Sequence, residues 1–419
     1  MKINRIEARF IAPTLKKPFE IGDLNGHKRI VGSEEDGHRR DIIALQAYTS
    51  NSTTSAWSTI DALPQPFYSP EWAKGDWALL NDPKLRKAIE NNILGHEIKD
   101  PQEFVDALGP IVGHNMLKAG FANLFLDAKA LADGVPLYTL VGGKKDKIDA
   151  GISMSSTSTT EDVDKKLGEG FRRIKIKVGP KPNEEAKKGE KKPTREDPLD
   201  DDFTKIKGIS DYIKELNKKR LADEQIQLMI DGNSSFNMED YNELLMAYGD
   251  LGLLMIEQPL AHDDIRHHIE LQQLFNAQNI PGKICLDESI ETMDQLEQAI
   301  DGGISIINIK IARVGGLHIA QQMIEYCQAH SVDTWIGGMV EPTTSKAHSV
   351  AMAAHKGVTL PSDISGTEVY FHDDPVKEPM TRRGAYIDVP QIPGRGWDVD
   401  EAKLDQITQE IIIFDSKYP

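Results

Sequence analysis

The stretch from Arg173 to Glu341 contains a series of short apolar runs, and most of them end in a charged residue. The runs are rich in Ile, Leu and Val, which is typical of β-strands that are buried on both faces. Each segment between two runs is long enough for one helix, and most show helix-like apolar spacing. Alternating strands and helices form a parallel sheet with right-handed crossovers. The charged residues that end the runs are Lys177, Asp231, Glu257, Asp287, Lys310 and Glu341.

Eight strand–helix units of this kind close into a barrel, and the active site of such a barrel lies at the carboxyl ends of its strands. We therefore predict an α/β fold with a (β/α)8-type barrel, a modified TIM barrel, over residues 146–365. The first strand is expected at 148–154 and a weak eighth strand near 358–360. The charged strand ends would then point into one shared mouth.

Two further regions flank the barrel. Residues 1–145 lack the strand–helix alternation, and we predict an α+β capping domain there, with a mobile polar loop at about 16–40. Residues 366–419 are expected to pack back on the capping domain. An insertion at about 179–202 carries charges of both signs and four prolines, which predicts a solvated excursion of the barrel rim. The sequence leaves open whether this insertion is ordered and whether it covers the mouth.

Composition excludes several classes of partner. The net charge of −17 repels phosphate backbones, so nucleic acid is not an expected partner. No run approaches the roughly 20 apolar residues that cross a bilayer, and the first residues lack the apolar core of a signal peptide. The two cysteines are too few for a disulfide framework. We expect a soluble cytoplasmic protein without membrane partners, and homo-oligomerisation stays open.

Three carboxylates, Asp231, Glu257 and Asp287, end consecutive predicted strands. Neighbouring parallel strands lie about 4.8 Å apart, so carboxylates at one level can converge on one cation and would repel one another without it. Three such oxygens, completed by water or substrate, suit Mg²⁺, and Mn²⁺ is the alternative ion. Each carboxylate could instead cap the helix that follows. For three in a row between lysine-ended strands we favour the metal site.

Lys177 and Lys310 end the strands on either side of these carboxylates. Beside a divalent cation and a second lysine the pKa of an amine falls, and a neutral amine is a usable base. Lys175 lies two residues before Lys177, so it points the same way and its charge lowers the pKa of Lys177 further. A single strand-end lysine could instead form a surface salt bridge. Together with the metal, the two amines predict removal of a proton next to a carboxylate through an enediolate.

At these residues the sequence resembles the enolase superfamily, specifically its muconate-lactonizing subgroup, over about residues 2–399. The matching motifs are Lys175-Ile-Lys177, Asp231-Gly-Asn233, Ile256-Glu-Gln-Pro-Leu260, Leu286-Asp-Glu-Ser289 and Asn308-Ile-Lys310-Ile-Ala-Arg313-Val-Gly-Gly316. Within the subgroup the chain is most similar to o-succinylbenzoate synthases and N-acylamino acid racemases. The segments that carry this similarity are Gly337-Gly-Met-Val-Glu341, Thr359-Leu-Pro-Ser-Asp363 and Pro66-Phe-Tyr-Ser-Pro-Glu71.

The resemblance implies a role for each motif residue. Asp231, Glu257 and Asp287 would bind Mg²⁺. In a synthase Lys177 would be the base and Lys310 a cation that stabilises the enediolate, whereas in a racemase both lysines would act as acid and base. The residues implied to support them or to contact substrate are Lys175, Asn233, Glu288, Gly338, Met339 and Glu341. Segment 16–40 would be the capping loop that closes on substrate.

Departures from the family pattern leave the substrate open. Residues 342–346 replace a glycine-rich stretch that ends in Arg, a Gly-Glu pair is missing around 57–61, and the capping-loop pattern is not clear at 19–24. Dehydration by an o-succinylbenzoate synthase and racemisation of N-succinylamino acids are the leading activities. A dipeptide epimerase or a cycloisomerase is the alternative, and Asp363-Ile-Ser365, where epimerases tend to have Asp-x-Asp, counts against the former. A catalytically silent binding or structural descendant is the alternative of another class.

Three histidines, His262, His267 and His268, cluster after the fourth predicted barrel strand. The surrounding stretch is acidic and helical, so we interpret the cluster as a solvated helix face rather than a second metal site.

Overall fold

The computed structural model describes residues 1–21, 29–31, 38–49, 55–66, 68–178, 196–236 and 245–415. The strands are β1 Ile3–Ile11, β2 Phe19–Ile21, β3 Arg29–Val31, β4 Ile42–Thr49, β5 Ala56–Ile60, β6 Lys147–Asp149, β7 Ile152–Met154, β8 Arg173–Lys177, β9 Gln227–Asp231, β10 Ile256–Glu257, β11 Ile284–Leu286, β12 Ile306–Ile309, β13 Asp333–Ile336, β14 Tyr386–Asp388 and β15 Thr408–Asp415. The helices are α1 Ala73–Leu80, α2 Pro83–Ala88, α3 Pro101–Asp106, α4 Asn115–Asp133, α5 Leu137–Leu140, α6 Thr160–Gly168, α7 Glu196–Asn217, α8 Met246–Asp250, α9 Ile265–Ala277, α10 Met293–Asp301, α11 Ile311–Val314, α12 Leu317–Ala329, α13 Thr343–Ala353 and α14 Glu401–Ile407. Within these ranges, no helix has both the length and the apolar composition that crossing a bilayer requires.

The predicted barrel is confirmed as a curled parallel sheet of seven strands, β7 to β13, in which each strand lies beside the next one in sequence. The predicted eighth strand is instead an irregular segment, 358–363, which bonds to both open edges. The amides of Thr359 and Asp363 donate to β13 carbonyls over 3.0 and 2.9 Å, and the Gly151 amide donates to Ser362 over 2.9 Å. A regular ladder is interrupted there because Pro361 has no amide hydrogen to donate.

Alternation along the strands divides the barrel interior into two layers. The lower layer is an apolar floor made of Met229, Met255, Cys285, Ile306 and Trp335. Side chains two residues apart on a strand point the same way. The residues two positions later on the same strands are Asp231, Glu257, Asp287, Asn308 and Gly337. A polar layer therefore lies directly above the floor, at the carboxyl ends of the strands.

The first part of the chain forms a four-stranded antiparallel sheet in the order β15-β1-β4-β5. Helix α4 covers this sheet and, among its strands, contacts β5 more than β4. It spans Asn115–Asp133, and the next residue, Gly134, adopts a left-handed conformation with φ of 67°. A glycine directly after a broad apolar helix face favours a helix end at this point.

Residues after 366 return to this first sheet. Strand β15 pairs with β1, with Arg5 opposite Asp415 and Ile6 opposite Phe414. Leu404 and Ile407 of α14 join a second apolar cluster with residues of β1, β4 and β5. The capping sheet is therefore completed by the last described strand.

Two predicted loops fall partly outside the described residues. In segment 16–40, β2 and β3 pair as a small antiparallel sheet, while 22–28 and 32–37 lie outside the described ranges. In the insertion, 179–195 also lies outside them. Residues 196–202, which the sequence places in a solvated excursion, instead begin helix α7. Acidic residues and a proline are favourable or tolerated in the first turn of a helix, so the charged composition masked this helix start.

Candidate active site

The predicted carboxylates lie side by side at the carboxyl ends of β9, β10 and β11. Glu257 is in register with Asp231 on one side and with Cys285 on the other, and Asp287 follows Cys285 by two residues. All three carboxylates are at most 2% exposed. Lys177 is in register with Asp231 on the far side of β9. The strand order therefore brings Lys177, Asp231, Glu257 and Asp287 along one rim of the polar layer.

Lys175 forms the centre of an ion-pair network. Its Nζ lies 3.2 Å from Asp231 Oδ2 and 3.0 Å from Glu257 Oε2. It also lies 2.6 Å from Asp363 Oδ2, and Arg173 binds the other oxygen of that carboxylate. Burial lowers the pKa of Lys175, but these three carboxylates more than offset it and hold the pKa well above its ordinary value. Lys175 is therefore a fixed cation that draws two of the predicted metal ligands together.

Asp287 is held from the other flank of the site. Lys310 Nζ lies 2.9 Å from Asp287 Oδ2, and Arg313 donates to Oδ1. Burial raises the pKa of Asp287, but the charges of Arg313 and Lys310 outweigh it and lower the pKa to about 2. The hydroxyl oxygen of Tyr68, from the capping domain, accepts hydrogen bonds from both cations, at 2.6 Å from Arg313. Lys310 is thus fixed by one carboxylate and one phenol.

Lys177 occupies the opposite flank. Its Nζ lies 4.9 Å from the ring centroid of Phe19 in β2, which places it under the described part of segment 16–40. Burial lowers its pKa, and the charges of Lys175 and Lys310 lower it further against the opposing effect of Asp231. Lys177 ends β8 and Lys310 follows β12, so the two amines flank the carboxylates of β9 to β11.

Asn233, Glu288 and Asn308 brace the carboxylates. The backbone amide of Asn233 donates to Asp231 Oδ1 over 3.0 Å. The side-chain Nδ2 of Asn233 donates to Glu288 Oε1 over 3.2 Å. Asn308 donates to Glu257 Oε1 over 2.8 Å. Burial, followed by the charge of Asp287, raises the pKa of Glu288. The sequence predicts supporting roles for Asn233 and Glu288, and both lie beside the triad.

Gly338, Met339 and Glu341 lie further round the rim. A Cβ at Gly338 would lie 3.3 Å from the Asp363 carbonyl oxygen. Glu341 accepts from the Met339 amide, and Arg40 of the capping domain donates to the Met339 carbonyl over 3.3 Å. The charge of Glu341, after burial, contributes to raising the pKa of Asp61 to about 6. The described contacts therefore place Glu341 where the capping domain meets the barrel, whereas Gly338 adjoins the Lys175 network.

The carboxylates of Asp231, Glu257 and Asp287 are chemically suited to bind a hard divalent cation. Burial raises the pKa of Glu257 well above its ordinary value, and the charges of Asp231 and Asp287 raise it further despite Lys175. A divalent cation would relieve this repulsion, and carboxylate oxygens are the ligands that Mg²⁺ prefers. The three carboxylates do not meet at one point, since Lys175 holds two of them and Lys310 with Arg313 holds the third. Ion binding would draw them closer together.

A different acidic cluster has the tighter geometry. Among the described residues, Glu71, Asp76 and His114 are the one set of three potential metal ligands whose donor atoms lie within 4.8 Å of one another. Glu71 accepts from the amides of Met116 and Leu117 at the start of α4, at 2.9 and 3.3 Å. His114 Nδ1 lies 2.9 Å from Asp76 Oδ1. These contacts explain the cluster as a helix cap beside a histidine–carboxylate hydrogen bond.

Sequence reasoning did not assign a role to several residues of the site. Tyr68, Asn308, Arg313 and Asp363 all stand in the motifs that carry the family resemblance, yet none shows its contact in the spacing of its own segment. Arg313 follows Lys310 by three residues, which is one helical turn, and this was the one local signal available. Tyr68 and Asp363 reach the site from distant parts of the chain, so only the fold reveals them.

Several known proteins are similar to this chain over most of its length. Residues 159–403 match the family model described as enolase C-terminal domain-like. The chain is 32% identical over 381 residues to an o-succinylbenzoate synthase from Geobacillus stearothermophilus, which covers 90% of this chain and 91% of that one. It is 28% identical over 413 residues to an N-succinylamino acid racemase from Thermus thermophilus, covering 97% and 98% of the two chains. A solved enolase-superfamily structure from Listeria innocua superimposes with a TM-score of 0.80 at 24% identity and covers 99% of both chains. The chain therefore belongs to the enolase superfamily.

Proposed function

We propose that this protein is a Mg²⁺-dependent enzyme that removes the proton next to a carboxylate, with dehydration to o-succinylbenzoate as its main reaction. The observation that carries the proposal is the arrangement of two lysines on opposite flanks of three buried carboxylates. The relative that is 32% identical over 90% of this chain is named for the same reaction. The substrate would enter between the barrel mouth and the capping domain.

Asp231, Glu257 and Asp287 would hold the cation. When bound, the ion would act as a Lewis acid that stabilises negative charge developing on the substrate carboxylate. Lys175 keeps Asp231 and Glu257 oriented toward the mouth, and Asn308 fixes the second oxygen of Glu257. These contacts orient the two carboxylates before an ion binds.

The two lysines are not equivalent, and this asymmetry favours the synthase. Burial and neighbouring cations lower the pKa of Lys177, so it suits the base that takes the proton. Lys310 is tied to Asp287 at 2.9 Å and to Tyr68, so it suits a cation that stabilises the enediolate. Dehydration needs one base and one leaving group, and the protonated Lys177 can return its proton to the departing hydroxyl.

Racemisation of N-succinylamino acids is the second candidate. It is favoured by the relative of that name, which is 28% identical over 97% of this chain. A racemase needs an acid on one face of the substrate and a base on the other, and Lys310 lies on the flank opposite Lys177. In this activity Lys310 would have to release Asp287 or Tyr68 in order to exchange a proton.

Deuterium exchange in heavy water tests the proton abstraction directly. With Mg²⁺ present, exchange at the carbon next to the carboxylate should fall by about 10²–10⁴-fold in Lys177→Ala and in Lys310→Ala. Lys165→Ala is the matched control, since Lys165 is exposed on the outer helix α6. Removing divalent ions with EDTA should stop the exchange and adding Mg²⁺ should restore it. Normal exchange in both lysine variants would refute the proposal.

A substrate panel decides between the activities. The substrate whose dehydration gives o-succinylbenzoate should be assayed beside N-succinylamino acids, dipeptides and muconate. A synthase should turn over the precursor with the highest kcat/KM. Faster turnover of N-succinylamino acids would favour the racemase, and activity only on dipeptides or muconate would overturn both assignments.

A further inference from the structure

Gln258 follows Glu257 directly and lies among all three segments that carry the carboxylates. It is fully buried, although it is a polar residue at the end of a strand. Its backbone φ is +35°, in the left-handed region that residues other than glycine seldom adopt. A conformation of this kind costs on the order of 1 kcal/mol and persists where surrounding contacts determine it.

The backbone of Gln258 connects the two neighbouring strands. Its amide donates to the Cys285 carbonyl of β11 over 2.8 Å, and its carbonyl accepts from the Ser234 amide over 2.8 Å. Ser234 lies in the turn that follows Asp231, so this bond joins the turn after β9 to the end of β10. The Gly232 amide adds a parallel bond to the Glu257 carbonyl over 2.9 Å.

The side chain of Gln258 completes the connection on the third segment. Its Oε1 accepts from the backbone amides of Asp287 and Ser289, at 3.0 and 3.2 Å. Its Nε2 donates to Ser289 Oγ over 2.7 Å and to the Leu260 carbonyl over 3.2 Å. One amide therefore fixes the turn that carries Asp287 and also closes the turn that follows Glu257.

Each of these bonds acts on the spacing of the carboxylates rather than on their charge. The Asp287 amide belongs to the same residue as the carboxylate, so shifting it by a few tenths of an ångström shifts the ligand. The Gln258 side chain bonds to backbone groups of Asp287, Ser289, Leu260 and Ala261 and to the Ser289 hydroxyl, so it acts on the turns that carry the ligands. Residues that orient metal ligands in this way typically change metal affinity about 10–100-fold when they are removed.

We propose that Gln258 is a positioning residue that sets the distances among Asp231, Glu257 and Asp287, and so determines the affinity for the divalent cation. The inference rests on the proposed function, because it assumes that these carboxylates bind the ion. It adds a residue whose side chain acts through the turns that carry the ligands.

Titration calorimetry with Mg²⁺ alone, on the full chain, tests the inference. Gln258→Leu should weaken binding about 10–100-fold. Gln272→Leu is the matched control, since Gln272 is also a buried glutamine whose Oε1 accepts from a β11 amide, that of Ile284, over 2.7 Å. It acts on the amino end of β11, away from the carboxylates. Both variants should lower the Tm, and only Gln258→Leu should lower Mg²⁺ affinity.

A second variant keeps the test decisive if Gln258→Leu does not fold. Gln258→Gly relieves the backbone strain while deleting the side chain, so it should bind Mg²⁺ weakly even with an unchanged Tm. Wild-type affinity in the glycine variant, or an equal loss in Gln272→Leu, would overturn the positioning role and leave the proposed function intact. Absence of Mg²⁺ binding in the unaltered chain would overturn both.

Discussion

His268 makes the stability of the barrel depend on pH, and its contribution can be worked out from its contacts. It lies fully buried on α9, where its Nε2 accepts from the Leu260 amide over 3.1 Å and its Nδ1 donates to the Asp264 carbonyl over 2.7 Å. The interpretation of the histidine cluster as a solvated face is therefore wrong for this residue. Burial lowers its pKa from 6.5 to about 4, although the Asp264 carbonyl partly opposes this.

Proton linkage determines whether the free energy of unfolding rises or falls with pH. In the unfolded chain the histidine takes up a proton near its ordinary pKa, whereas the folded protein keeps it neutral down to about pH 4. The stabilisation is therefore complete above pH 6.5 and is lost as the pH falls from 6.5 toward 4. At pH 5 the two pKa values correspond to a loss of about 2 kcal/mol in the free energy of unfolding, against a few tenths at pH 7.

Urea unfolding of the wild type and His268→Gln at pH 7 and pH 5 measures this contribution. Glutamine can accept from the Leu260 amide but does not titrate, so every other acid-sensitive group cancels in the comparison. Between pH 7 and pH 5 the wild type should lose about 2 kcal/mol more than the variant. Equal losses in the two proteins would refute the reasoning, because they would show that His268 is protonated in the folded state as well.

Two further predictions concern packing outside the carboxylate triad. Arg395→Ala should lower the free energy of unfolding by about 3–5 kcal/mol, since it leaves Asp127 as a buried carboxylate without the cation 2.7 Å away. Chemical denaturation measures this, with exposed Arg383→Ala as the control, and a loss below 1 kcal/mol would contradict it. Gly151→Ala should abolish soluble expression, because the new Cβ would overlap the guanidinium of Arg173, which is fully buried. A soluble variant with wild-type Tm would show that Arg173 can move aside.

Much of the barrel could be predicted because its determinants are local. Apolar runs that end in Lys177, Asp231 and Glu257 mark both the strands and the rim, since parallel strands place their carboxyl ends together. The eighth strand position was harder to predict. The segment around Pro361 is held there by long-range hydrogen bonds rather than by a regular strand ladder. The start of α7 was also missed, since its charged first turn has the composition of a loop.

Only those site residues that lie on the barrel strands or shortly after them could be predicted from the sequence. The rule of alternation places Lys175 and Lys177 on one side of β8, but it cannot show that Lys175 is bound by Asp363, some 190 residues later. Tyr68 and Phe19 approach the lysines from the capping domain, whose placement no barrel pattern encodes. The role of Gln258 depends on a backbone conformation that its residue type does not favour.

The pairing of β1 with β15 has a consequence for biosynthesis. Strand β15 leaves the ribosome about 400 residues after β1. Until β15 is made, the edge of β1 that pairs with it has no partner strand. The intervening barrel strands emerge in their spatial order, so each can add to its neighbour as it is made. During translation the barrel can therefore assemble first, and the small sheet above it closes last.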